Sequence, residues 1–166
     1  MKKFTLLLLV LFIANLSCKK ITGGQPCACS PVSGPAFALT IKNSFGNDLL
    51  NPETSGYYDN KQLQIYSKDN NNVIKQISFN INRPFTITTD NAVTNYQLIS
   101  YELPFLAKSL ENTFYLKLGN DKLYELNLKV NASVIEKLLI DKNEAMKEFP
   151  NATSRPINEI YTLLVK

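Results

Sequence analysis

Phe114-Tyr115-Leu116-Lys117-Leu118-Gly119-Asn120-Asp121-Lys122-Leu123-Tyr124-Glu125-Leu126-Asn127-Leu128-Lys129-Val130 decides what kind of fold this chain adopts. Phe114, Leu116 and Leu118 fall on one face of an extended segment, and Tyr124, Leu126, Leu128 and Val130 on one face of the next. A period of two is the mark of a half-buried strand, because successive side chains point to opposite faces of the pleat. Gly119-Asn120-Asp121 between them is turn chemistry: these residues accept positive φ or close their own backbone turns. Residues 112–130 therefore predict a β-hairpin.

The same pattern extends outward in both directions. Phe37, Leu39 and Ile41 share a face, as do Leu63 and Ile65, and then Ile77, Phe79 and Ile81 within one strand over residues 73–81. Asp69-Asn70-Asn71-Asn72 predicts a second hairpin spanning residues 61–81. Phe85 and Ile87 open a short strand. Residues 93–103 are apolar on both faces, the pattern of a central strand. Ile157, Glu159, Tyr161, Leu163 and Val165 close the chain on one face, with Ile160 and Leu164 on the other. Pro104-Phe105-Leu106-Ala107 breaks the alternation and reads as a crossover between sheets, with Phe105 and Leu106 plugging the end of the core. Seven to nine short strands with frequent turns predict a mainly all-β chain, an antiparallel immunoglobulin-like β-sandwich over residues 37–166, with an up-and-down barrel as the alternative. One stretch departs from this. Ser133 and Glu136 have capping-box spacing, residues 137–149 are good helix formers, and Ile135, Leu138, Leu139 and Met146 lie near one helical face. One short helix over residues 134–148 is favoured over a further strand.

The N-terminus has a different grammar. Lys2 and Lys3 precede a thirteen-residue run, residues 4–16, that is apolar except for Thr5 and Asn15, and Ser17 then precedes Cys18. That is a secretory signal peptide over residues 1–17, too short for the roughly 17–25 residues of a bilayer-spanning helix. Removing it from the 166 residues leaves 149, enough for one domain, and lowers the formal charge from +4 to +2 as Lys2 and Lys3 leave. Residues 18–36, rich in Gly, Pro and Ser, read as a flexible tether with an end-to-end distance on the order of 20–25 Å. A near-neutral chain with scattered Lys and Arg predicts no nucleic-acid partner.

Asn15-Leu16-Ser17-Cys18-Lys19-Lys20 resembles the lipobox of bacterial lipoproteins, in the looser form common in Bacteroidota. The resemblance implies cleavage before Cys18 and acylation of that residue, hence a membrane partner reached through lipid. Acidic residues after the cysteine mark surface export in that group. Lys19-Lys20-Ile21-Thr22-Gly23 lacks them, which favours a periplasm-facing place in the outer membrane over the cell surface. Phe45-Gly46-Asn47-Asp48-Leu49-Leu50-Asn51-Pro52, with Tyr57 and Gln62-Leu63-Gln64-Ile65-Tyr66, is similar to small Bacteroidota lipoproteins of β-sandwich type, which bring no activity or ligand site to transfer.

Little in the chain carries chemistry. It contains no His, which excludes histidine-dependent triads and metal ligands, and no phosphate loop or nucleophile elbow. The Asp69–Asn72 cluster lacks the spaced carboxylates of a calcium loop and reads as a turn. The expectation is a chain that is not an enzyme, with no catalytic residue, no metal and no cofactor. Cys27 and Cys29 remain as a disulfide candidate, within the pair or to a partner, against free thiols. Tyr66 and Tyr115 alternate onto the polar faces of their strands, and Tyr57 and Tyr58 sit in a loop. Exposed tyrosines stack on sugars or anchor interfaces, while ordinary cross-strand pairing is the plainer account. Two function classes follow: a binding module for envelope proteins or glycans, and a structural or accessory subunit of an envelope assembly with its sheet edges covered by partners.

Overall fold

Alternating burial runs through the computed structural model, which describes residues 35–88, 91–107, 112–131, 134–148 and 159–166. The signal segment, most of the tether, Cys18, Cys27, Cys29 and Ser133 lie outside the described residues. In chain order the elements are β1 (Phe37–Asn43), β2 (Leu63–Lys68), β3 (Ile74–Ile77), β4 (Asn80–Asn82), β5 (Phe85–Thr88), β6 (Asn91–Val93), β7 (Gln97–Ser100), a helical turn α1 (Glu102–Leu106), β8 (Thr113–Leu118), β9 (Lys122–Asn131), β10 (Val134–Ile140), β11 (Asn143–Glu144), β12 (Met146–Lys147) and β13 (Tyr161–Val165). Nine of these strands have four residues or more, in line with the seven to nine expected, and the other four have two or three.

Ser33–Lys166 forms one unit built as a sandwich of two sheets. The first has the order β12-β13-β1-β7-β4 and the second β11-β10-β9-β8-β2-β3. Both keep open ends, which distinguishes a sandwich from a closed barrel. Phe37, Leu39, Ile41, Leu98, Tyr161 and Leu163 from the first sheet meet Ile65, Phe114, Leu116, Leu126, Leu138 and Ile140 from the second in one core. Each such side chain contributes roughly 1.5–3 kcal/mol when fully buried. The predicted hairpins are present, with Leu118 opposite Lys122 across Gly119-Asn120-Asp121 and Lys68 opposite Ile74 across the Asn cluster. Gly119 has φ of +60°, where a Cβ is costly. Asp69 Oδ1 accepts from the backbone N–H groups of Asn71 and Val73, both at 2.8 Å, so its carboxylate closes the turn.

The first sheet is covered on its outer side too. The two-stranded ribbon β5–β6 brings Val93 and Phe85 onto Ala38, Ile99 and Ile160, forming a second small core. That explains why β1 from Phe37 to Ile41 and all of β7 are buried on both faces. β1 pairs in parallel with β13, Leu39 opposite Tyr161, and antiparallel with β7.

Three expectations need correcting. Residues 134–148 form strands β10, β11 and β12 and not a helix. β10 pairs antiparallel with β9, but the register slips at Glu136: Ile135 faces Val130 and Lys137 faces Lys129, so Glu136 is the extra residue of a β-bulge. The bulge puts both Ile135 and Leu138 into the core, and that i, i+3 spacing imitates a helical face. Glu136 caps nothing helical; its carboxylate meets Lys129 Nζ at 2.7 Å and Asn131 Nδ2 at 2.7 Å. A true capping box lies elsewhere: Asp59 Oδ1 accepts from the N–H groups of Lys61 and Gln62, while Gln62 Oε1 accepts from Asp59 N–H. It opens a single 3₁₀ turn, Asn60–Gln62, that β2 ends at once.

Residues 73–81 are not one strand. β3 belongs to the second sheet and β4 to the first, with Ser78 and Phe79 at the corner. Glu102 Oε2 accepts both Ser78 N–H (2.9 Å) and Ser78 Oγ–H (2.8 Å), and Ser100 Oγ donates to Ser78 O (2.7 Å). α1 does carry the chain between the sheets, and Leu106 packs against the core as expected, but Leu103 and Ala107 are the fully buried plugs and Phe105 is more than half exposed.

Candidate functional site

Tyr66 and Tyr115 stand opposite each other in the β2–β8 pair. Their rings stack at 5.2 Å with 21° between planes, and Lys68 Nζ sits 5.0 Å from the Tyr115 centroid. Stacking turns the ring faces toward each other, so Tyr66 is buried, with 8% of its surface exposed. This is cross-strand pairing of the kind that stabilises a sheet face. Tyr115 and Lys68 also line a shallow cleft of about 420 Å³ with Lys75. Tyr57 is exposed in its loop. Tyr58 packs on the core, its ring Cε1 3.5 Å from where a Cβ on Gly119 would stand. The four tyrosines therefore form no common surface: one pair braces the outer sheet face and Tyr58 braces a turn.

Sequence reasoning missed a polar network on the outer side of the first sheet. Lys42, on the outward side of β1, pairs with Glu148 just after β12, and Asn95 Nδ2 donates to the same carboxylate at 2.9 Å. Gln97 Nε2 donates to Asn95 O at 3.1 Å. Asp48 bridges back to Lys42 through backbone pairing, and its two carboxylate oxygens accept from Leu50 N–H (2.9 Å) and Tyr96 N–H (2.6 Å). Burial pushes the Asp48 carboxyl above its ordinary range, against the opposing pull of those N–H groups and of Lys42. Gln97 Oε1 and Glu148 Oε2 are buried and can still accept a hydrogen each. The Lys42–Glu148 ion pair and the Asp48 bonds to backbone N–H groups together tie β1, the loop after it, the start of β7 and the end of β12. Among the described residues no group of three or more Cys, Asp or Glu is arranged to hold a metal ion.

A groove of about 560 Å³ opens where β9 and β10 part from β12 and β13. Leu123, Tyr124, Ile140, Met146, Leu163 and Leu164 give it an apolar lining. Leu123, Met146 and Leu164 are each about half exposed or more, a concentration of solvated apolar side chains in one place. Asp121, Asp141 and Glu144 stand around the rim, together with Lys122 and Lys166. Lys122 Nζ donates to Lys166 O. Nothing in the alternation of residues 121–124 or 140–146 foretold this groove, because it arises from where strands stop.

No protein-family model, curated protein or solved structure matches this chain.

Proposed function

We propose that this protein is a membrane-anchored lipoprotein of a bacterial cell envelope whose sandwich acts as a non-catalytic binding module. The observation that carries the anchor is the N-terminal stretch: a cationic start, a thirteen-residue apolar run and Ser17-Cys18, followed by a Gly- and Pro-rich spacer into the first strand. Acylation of Cys18 with two or more chains makes attachment stable, since each buried CH₂ contributes roughly 0.8 kcal/mol. The spacer then holds the sandwich clear of the lipid surface. Support for a binding role comes from the body, where an apolar groove of about 560 Å³ falls in the size range of ligand sites and carries a charged rim.

The test is direct. Expressed with its leader in a bacterium that processes lipoproteins, the chain partitions into the detergent phase and its N-terminal peptide has the mass of an acylated cysteine. Cys18→Ala moves it to the aqueous phase. A chain that starts elsewhere, or a Cys18 without fatty chains, refutes the anchor.

A further inference from the structure

The groove is unusual in its backbone as well as in its side chains. β9 pairs with β10 only from Leu126 to Asn131. Lys122, Leu123 and Tyr124 thus have no strand neighbour on that side among the described residues. Asp141 caps the gap at Glu125, its N–H donating to Glu125 O (2.9 Å) and its Oδ1 accepting from Glu125 N–H (2.8 Å). Among the described residues β13 pairs with β12 only at Tyr161 and Thr162, so Leu163, Leu164 and Val165 have no strand neighbour on that side, their other side being taken by β1. β11 and β12 have two residues each, and both sheets stop short at the same end. Each open edge is three residues long, about 10 Å at roughly 3.3 Å per residue, and presents backbone N–H and C=O groups of alternate residues to the groove.

Open edges on both walls, an apolar lining and a charged rim are the components of strand addition, in which main-chain hydrogen bonds give affinity and side-chain pockets give spacing. We propose that this groove is a strand-acceptor site for an extended segment of a partner polypeptide, apolar at alternate residues and flanked by Lys or Arg. The proposal rests on the binding-module reading and names its site and partner class. Charge bears on the flanks: Asp121, Asp141 and Glu144 stand against the ammonium groups of Lys122 and Lys166, and Glu144 meets Lys137 Nζ at 3.5 Å, so the acidic lean of the rim is slight and resides at Asp121 and Asp141. Natural sheets shield such edges because they recruit strands, and here, among the described residues, no strand shields them beside the exposed Leu123, Met146 and Leu164.

The experiment uses the full chain in detergent and a library of labelled heptapeptides with Val or Ile at alternate positions and Lys at both ends. Fluorescence anisotropy reports binding and amide hydrogen exchange locates it. At least one peptide is expected to bind and to slow exchange at residues 122–124 or 163–165. N-methylation of its groove-facing amides should weaken binding roughly tenfold or more, since it removes the paired donors. Replacing Leu123 and Met146 together by Ser should have a similar effect, and both side chains are exposed enough for the fold to survive, as a circular-dichroism melt will confirm. Failure of every peptide, indifference to N-methylation, protection at the opposite edge (Ile74–Ile77), or concentration-dependent protection of the groove amides by a second copy alone would each overturn the proposal. The Cys18→Ala chain should bind equally well, so failure of the anchor and failure of the groove are separate outcomes.

Discussion

Tyr161→Phe removes one oxygen from the centre of the molecule and tests how the two sheets are joined. The Tyr161 hydroxyl donates to Ile135 O at 3.0 Å, across the core at the bulge of β10, and also contacts Glu159 Oε2. The ring is 99% buried and carries Lys147 Nζ 5.7 Å from its centroid, a contact that Phe retains. The substitution therefore isolates the hydroxyl. Hydrogen bonds to charged groups are worth roughly 1.5–3 kcal/mol and an abandoned buried acceptor costs about 1–3, so a loss of about 2 kcal/mol is expected, softened because Glu159 keeps Lys147 Nζ at 2.6 Å. For a unit of this size that is about 6–8 °C in Tm. The chain has no Trp, so far-UV circular dichroism in a urea titration is the suitable probe. Burial, reinforced by Glu159, pushes the Tyr161 hydroxyl well above its ordinary range. A raised folded-state pKa means the contribution is complete below the unfolded value, about 10, and is lost as pH climbs past it. The gap between the two proteins should therefore hold steady up to about pH 10 and shrink above it. A difference below about 0.5 kcal/mol at neutral pH would show that the hydroxyl does not join the sheets.

Three other outcomes follow from single contacts. The two Ser78 hydrogen bonds hold the Glu102 carboxyl below its usual range, so its contribution is present above the unfolded pKa near 4.3 and disappears as pH falls through the lower folded value; Glu102→Gln should cost about 1 kcal/mol at pH 7 and flatten that acid limb in urea titrations. Gly119→Ala should cost about 1–2 kcal/mol from its positive φ alone, because the nearest atom, Tyr58 Cε1 at 3.5 Å, leaves room for the new carbon; an unchanged thermal midpoint would contradict the left-handed turn. Deleting Glu136 should leave a cooperatively folded protein with a thermal midpoint close to the parent's, since it removes the bulge, an exposed ion pair and one exposed hydrogen bond to Asn131, whereas deleting Leu139 should unfold it by turning Ile140 outward.

That last contrast shows where the sequence pattern is informative and where it is degenerate. Hairpins were legible because a turn and two alternating runs are local: Gly119-Asn120-Asp121 and the Asn cluster set the register of their neighbours by themselves. The bulge was not, because one extra residue between Ile135 and Leu138 converts period two into the spacing of a helix face. The split at Ser78 stayed hidden for the opposite reason. Ile77, Phe79 and Ile81 keep alternating through the corner because both sheets bury the same core, so period two cannot distinguish a straight strand from one that changes sheets. The parallel pairing of β1 with β13 joins residues more than 120 apart and leaves no local trace.

The candidate sites follow the same division. The Tyr66–Tyr115 pair was visible as two aromatics at outward positions, yet only the register shows that they face each other, and ring faces turned inward leave little to stack on a sugar. Lys42 interrupts the apolar run of β1, a signal that could have marked the polar network, but its partner Glu148 lies 106 residues away. The groove had no signal of its own, for it is made by the ends of four strands rather than by any motif. Binding capacity in such a sandwich resides in where hydrogen-bonded ladders stop. Among the described residues β11 and β12 stop after two residues each, leaving both walls of one apolar groove without a strand neighbour. An edge of that kind must be covered by a partner, shielded by charge or exposed to self-association, and the slight acidic excess of this rim, three carboxylates against Lys122 and Lys166, leans toward an incoming strand with basic flanks.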